Sequence, residues 1–269
     1  MSDPVQPTLK QLRKEARERF LAGRRAETQY AANLRALARQ IDTIVRGFAP
    51  DGVLADPTAL IQTLQKYAEA LGPWAQSVAW RMVVDVSKRD AVAWSKHGKM
   101  IGRSLQREIA SAPTGDAMRK ALVRQVQLIK SIPRDAAERV QLLTLEAITK
   151  GVRASEIAAE IMRSGEVSKS RAMLIARTEV SRTATALTQA RAEFVGSTHY
   201  VWRTSKDGDV RPSHKAMEGQ AVAWNDPPVL DNLRGHAGEL PNCRCFPEPI
   251  LPEASAPRRP FAQLLAKPG

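Results

Sequence analysis

The sequence predicts a mostly α-helical chain. A basic multi-helix region covers 1–165. A small α+β domain follows over 166–250, with a long helix, a short sheet and a loop-rich Cys-x-Cys knuckle. A flexible or partner-docked tail covers 251–269. Three observations carry this reading. Apolar residues recur at helical spacing through most of the first three quarters of the chain. Aromatics make up only 5% of the 269 residues, so a core must rest on Leu, Ile, Val and Ala, which suits packed helices. Six of the 17 prolines fall between 212 and 249, just beyond one strand-like segment, and loops therefore dominate there.

Residues 10–48 read as one helix, because Tyr30, Leu34, Leu37, Ile41, Ile44 and Phe48 form a heptad-like seam. The seam lasts under three heptads, short enough for a helix packing on its own domain. Ala49-Pro50-Asp51-Gly52 ends it. Asp56 as N-cap and Pro57 at the first helical position open a second helix through Leu71, and Gly72-Pro73 breaks it. Trp74, Trp80, Met82, Val83, Val86 and Trp94 mark 74–110 as helical, with Gly98 and Gly102 weakening its second half. After a loop at 112–115, Asp116 caps a helix to Lys130. Ser131-Ile132-Pro133 reads as a turn, and 134–150 as a further helix that ends at Lys150-Gly151. A short helix, 155–163, is closed by Ser164-Gly165. Ser168 begins the long helix 169–195, stopped by Gly196. Residues 198–204 have the β-branched and aromatic bias of a strand.

The net charge of +13 is uneven: +12 over 1–200, −1 over 201–250 and +2 over 251–269. Residues 10–25 alone hold seven basic side chains against two acidic ones. Lys10, Arg13, Lys14, Arg17, Arg24 and Arg25 are therefore candidate contacts to DNA or an acidic partner, beside the plainer reading of a solvated helical surface. No apolar run approaches the roughly 18 residues of a membrane span. The opening MSDPVQPTLKQLRK lacks the apolar stretch of a secretory leader. The expected place is a cytoplasm, or a particle built there. No phosphate-cradling G-x-x-x-x-G-K-[ST], no G-x-G-x-x-G after a strand and no H-E-x-x-H is present, which argues against an ATP-driven motor.

Three constellations stand out. Arg177-Thr178-Glu179 lies on the long helix, where Arg171, Arg182 and Glu179 are candidates for ion pairs and the segment can position the next strand. In Asp207-Gly208-Asp209-Val210-Arg211-Pro212-Ser213-His214, Asp207 and Gly208 supply a bend, Arg211 is a candidate partner for Asp207 or Asp209, and Glu218-Gly219 follows. In Asn242-Cys243-Arg244-Cys245, the only two cysteines are too close in sequence for a ready disulfide. In a reducing cytosol they are thiols or metal ligands. Cys243 and Cys245 can present two thiolates to one Zn²⁺, with His214 as a third ligand and Asp207, Asp209 or His236 as a fourth. A cation–carboxylate lock made by Arg211 in place of a metal is the alternative. A Cys243, His214 and Asp207 nucleophilic set is the weakest reading, because nothing in the spacing demands a base beside the thiol.

Together and in this order, the Ala176-Arg177-Thr178-Glu179 helix, the short aromatic strand, the Asp-rich turn and the Pro241-Asn242-Cys243-Arg244-Cys245 knuckle resemble the C-terminal domain of the phage Mu protein F-like family. These are minor head, or head morphogenesis, proteins of tailed phages and prophages. The resemblance covers roughly 125–250, with Leu128-Ile129-Lys130-Ser131-Ile132-Pro133 similar to a segment of phage minor head proteins. Many family members carry C-x-x-C in the turn and H-P-N-C-R-C at the knuckle. Here Arg211 stands at the first Cys position, His214 at the second, and Leu240 at the knuckle His, so two candidate ligands are gone.

The resemblance implies a structural, non-enzymatic virion protein of low copy number, inside the head near the portal. Its expected partners are the portal protein, scaffold or major capsid protein, and double-stranded DNA held without sequence preference. No membrane contact is expected. A structural zinc is the one cofactor it leaves open. The alternatives are a free basic DNA-binding protein acting in packaging or ejection, and a metal-dependent nuclease or toxin-like hydrolase.

Overall fold

The computed structural model describes residues 9–50, 54, 56–101, 110–150 and 154–251; over 9–23, 96–101 and 154–156 it describes the backbone alone. The chain is mostly helical, as expected. The helices are α1 (Leu9–Gly47), α2 (Pro57–Ala70), α3 (Gly72–Ile101), α4 (Gly115–Lys150), α5 (Ala154–Met162) and α6 (Ser164–Phe194). Then come β1 (His199–Thr204), the one-turn α7 (Pro212–Ala216), β2 (Ala221–Ala223), β3 (Val229–Leu230), β4 (Leu233–Arg234) and β5 (Cys245–Ile250).

The α1 seam packs inside its own chain. Tyr30, Leu34, Leu37 and Ile41 are buried in a core shared with α2 to α6. α1 lies chiefly along α6. The pairs Glu27–Arg177, Arg35–Met173 and Asp42–Gly165 run in opposite sequence order, so the two helices are antiparallel. α2 begins as its sequence dictates: the Asp56 side chain accepts from the Ala59 N–H at 2.9 Å, and Pro57 occupies the first turn. α2 gives way to α3 at Leu71, beside Gly72-Pro73.

Two expected boundaries move. Ser131-Ile132-Pro133 does not turn the chain, because α4 runs unbroken through Pro133. A mid-helix proline costs about 3 kcal/mol. Here Ile129, Ile132, Ala136, Ala137 and Val140 are buried on the same stretch, and at about 1.5–3 kcal/mol for each large apolar side chain their burial outweighs that cost. Ser164-Gly165 does not separate the long helix from a later start at Ser168. It is the first turn of α6, and the chain breaks one residue earlier, at Arg163. Gly165 is needed inside that turn, since a Cβ there would lie 2.2 Å from Asp42 Oδ1 on α1. The Gly102 weakening and the tail from 252 on fall outside the described residues.

β1 is the centre of a three-stranded antiparallel sheet ordered β2-β1-β5. Its alternation buries Tyr200, Trp202 and Thr204. Tyr200 and Trp202 join Trp94 of α3, Ala192 of α6, Val195 just past that helix, Trp224 and the two cysteines in a second core. The region expected to be loop thus holds a strand: β5 starts inside the knuckle and pairs Cys245 with Thr204 through to Ile250 with His199. Pro247 and Pro249 disguise it. They are tolerated because β5 bonds to β1 alone and is an edge strand. α6 contributes to both cores.

Candidate functional site

The Arg177-Thr178-Glu179 segment is where α1, α4, α6 and the knuckle are tied together. Arg177 faces Glu27 of α1 at 3.6 Å. The Thr178 hydroxyl accepts the Asn242 N–H at 3.1 Å, and Asn242 holds the left-handed conformation (φ 53°) that starts the knuckle. Glu179 is 3% exposed. Its carboxylate accepts from Arg124 Nε at 2.8 Å, from Gln125 Nε2 at 2.8 Å and from Arg182. Gln125 in turn accepts the Tyr30 hydroxyl at 2.9 Å. Burial, and then the charge of Glu179, push the Tyr30 phenol well above its ordinary range. Arg182 also donates to the Glu239 carbonyl. Arg171 pairs with Asp135 of α4 at 3.3 Å instead of with its own helix.

The Asp-rich turn is locked by the knuckle arginine. Arg244 Nε donates to Asp207 at 2.8 Å and Arg244 Nη1 lies 3.3 Å from Asp209. Arg211, the residue expected in that role, reaches Asp231 at 3.3 Å and the Pro241 carbonyl. Asp207 is therefore engaged by a cation and stands apart from the thiols. Burial pushes its carboxyl up, but hydrogen bonds from Arg244, Ser205 and the Asp209 N–H, with the Arg244 charge, together hold it below the ordinary range. Glu218 accepts the Thr204 N–H and hydroxyl at 2.7 and 2.9 Å. Gly219, at φ 84°, returns its N–H to the Trp202 carbonyl at 2.9 Å.

His214, Cys243 and Cys245 come together. Their ligand atoms lie within 4.8 Å of one another, and among the described residues this group has no fourth His, Cys, Asp or Glu. All three are buried, His214 at 1% exposure. The His214 Nδ1 lies 3.4 Å from each sulfur. Zinc bonds of about 2.1 Å to nitrogen and about 2.3 Å to sulfur, at a tetrahedral angle, would set that separation near ~3.6 Å. The other ring nitrogen, Nε2, is buried without a hydrogen-bond partner among the described residues, and the Asp231 carboxylate lies 3.8 Å from it, on the side where an acid usually orients a ligating imidazole. The Gly238 N–H donates to Cys243 Sγ at 3.4 Å. Gly238 has φ 91°, and a Cβ there would lie 2.6 Å from Thr185 Oγ1. A hydrogen bond from the Cys245 thiol holds Cys243 down to about 5 against burial, with His214 and Gly238 adding to it. The same bond, with burial, pushes Cys245 up. The direction at Cys243 favours the thiolate, the form that binds metals. The other proposed fourth ligands are occupied elsewhere: Asp209 faces Arg244, and His236 Nδ1 meets the Tyr200 hydroxyl at 3.2 Å.

Residues 138–247 match the family model described as phage Mu protein F like protein. This part of the chain is similar to phage Mu protein F. The Mu F-like segment opens within α4 and closes in β5, so it holds the Arg-Thr-Glu tie, the turn and the knuckle, while Leu128 to Pro133 lie before it. A Haemophilus influenzae protein described as uncharacterized is 40% identical over 126 residues, which are 47% of this chain and 28% of that protein. The match thus spans little more than a quarter of that relative. No solved structure matches the chain. Among the described residues no helix is long and apolar enough to cross a membrane.

Of the basic candidates, Arg24 and Arg25 are exposed on α1; Lys10, Arg13, Lys14 and Arg17 lie on the same helix, with side chains outside the described residues. Asp231 is the site residue that sequence reasoning missed. It had a signal: Asp231-Asn232, both at positive φ, form the two-residue turn of the β3–β4 hairpin between Val-Leu and Leu-Arg.

Proposed function

We propose that this chain is a minor capsid protein that serves in head morphogenesis of a tailed phage or prophage. It would associate with the portal vertex of the procapsid, remain in the virion and contact the packaged DNA without sequence preference. The observation that carries the reading is the Mu F-like segment, whose Arg-Thr-Glu tie, turn and knuckle form one continuous structure with the basic helical region. The test is co-purification with the portal protein of the same phage. A complex that survives moderate salt is expected. A chain that elutes alone at every salt concentration would sink the portal part of the reading.

Within this reading the knuckle is structural and not catalytic. His214, Cys243 and Cys245 would hold one Zn²⁺, with Asp231 orienting the imidazole and water or a partner's atom completing the tetrahedron. The metal would cross-link α7, the knuckle and β5. The purified protein is expected to hold about one zinc per chain, with His214→Ala reducing it and chelation lowering the melting temperature. Metal-free protein with an unchanged melt in chelator would show that the Arg244 lock and the thiol hydrogen bonds suffice.

A further inference from the structure

A charged groove runs between the C-terminal half of α1 and the start of α6. Arg35, Arg39, Asp42 and Arg46 fall on one stripe of α1, at spacings of four, three and four. Gly165, Glu166 and Lys169 face them from α6 across a space of about 380 Å³. At one end the charges are satisfied, since Arg46 bonds Asp42 at 2.9 Å with Glu166 nearby. At the other end they are not. Arg39 and Lys169 are exposed, and neither side chain has a hydrogen-bond or ion-pair partner among the described residues. Among the described residues the Arg35 side chain reaches the Met173 sulfur alone, at 3.7 Å. Further along α6, Arg171, Arg177 and Arg182 each meet an acid: Asp135, Glu27 and Glu179.

The first turn of α6 adds to the same field. Its N-cap Arg163 makes no side-chain cap bond, and the buried Ser164 hydroxyl has no partner. The positive end of this 31-residue helix therefore opens on the same groove at its Asp42–Arg46 end, little more than a turn before Lys169.

We infer that the groove around Arg35, Arg39 and Lys169 is where this chain holds the phosphate backbone of duplex DNA. The inference rests on the DNA-contact reading above and moves the contact away from the basic start of α1, Lys10 to Arg25. The chemistry selects the partner. Of the side chains lining the groove only Ala38 is uncharged, so it lacks the apolar centre of a protein interface. No aromatic lines it, so it offers no stacking platform for single-stranded bases. Guanidinium forks and an ammonium suit phosphate oxygens. From Arg35 to Arg46 the stripe runs about 16 Å, a length over which a duplex presents about nine phosphates.

The test uses the full chain, a random-sequence duplex and binding measured against salt. Arg35→Gln/Arg39→Gln/Lys169→Gln is compared with Lys10→Gln/Arg13→Gln/Lys14→Gln/Arg17→Gln. The groove variant is expected to flatten the slope of log affinity against log salt by roughly 2 to 3 units, the variant at the start of α1 by less. The exposed pair Arg39→Gln/Lys169→Gln should give most of the effect with an unchanged circular dichroism melt. A wild-type slope retained in the groove variants overturns the groove while leaving DNA contact in place. No duplex binding by the unmodified chain at low salt removes both. A groove variant that binds duplex normally but loses the portal protein marks this as a protein-binding surface and overturns the proposal.

Discussion

Glu179 is the side chain on which three helices meet, and its neighbourhood sets the scale of what one residue can cost. Two arginines and Gln125 converge on its buried carboxylate, and Tyr30 reaches it through Gln125. Removing the acid would leave Gln125 Nε2 buried without its acceptor and Arg182 half-buried without its carboxylate. Breaking a buried ion pair from one side costs about 3–5 kcal/mol, and the half-exposure of Arg124 argues for the lower end. Glu179→Ala is therefore expected to lower stability by about 3 kcal/mol, seen as a melting temperature several degrees lower. Glu179→Gln keeps the shape and part of the bonding and should fall between the two. A Glu179→Ala protein that melts with the wild type would mean that the network is solvated and carries little.

The strands and the knuckle depend on one another in a way that single residues do not reveal. β5 supplies the long partner of β1, and its first residue, Cys245, is also a member of the thiol cluster. A chain ending at Leu240 would lose β5, both cysteines and the Arg244 lock at once. Tyr200 and Trp202 would then line an open face, and tryptophan fluorescence is expected to shift red with an early melting transition. An unchanged melt would show that β1, β2 and α6 hold without closure. The same elements show what was legible in the sequence. Asp56-Pro57, the α1 seam and β1 are written in local signals, caps and periodicity, which act over a few residues and survived folding intact. Pro133 and Ser164-Gly165 are local signals as well, but the burial of α4 and the pressing of α6 on α1 overrode them. β5 was hidden because its prolines are harmless only on a sheet edge, and edge position is a property of the assembled sheet. The meeting of His214 with Cys243 and Cys245 was readable from residue type. That Arg244, and not Arg211, holds the Asp207 turn depends on which way β5 leaves the knuckle, and periodicity does not encode that.

Across the whole molecule, α6 runs from the helical core into the core beneath the sheet, so loosening the second should be felt in the first. Three groups make that loosening depend on acid. Burial pushes His236 below its ordinary value. Burial raises Asp207 and Glu218, but hydrogen bonds and cations outweigh it and hold both below their own, Arg244 and Ser205 at Asp207 and Thr204, Lys206 and Arg203 at Glu218. In each case the unfolded chain takes up a proton at a pH where the folded chain does not. Stability is therefore full above the unfolded values and falls as pH drops toward the folded ones. The loss should begin below about 6.5, with His236, and steepen below about 4.5, as the two carboxylates protonate. Melting followed by tryptophan fluorescence and by helical circular dichroism should move down together between neutral and acid pH, because one helix belongs to both cores. His236→Gln is expected to remove the upper part of the decline and leave the lower part. A fluorescence transition that moves with acid while the helical signal stays fixed would show that the two cores unfold independently despite the helix they share.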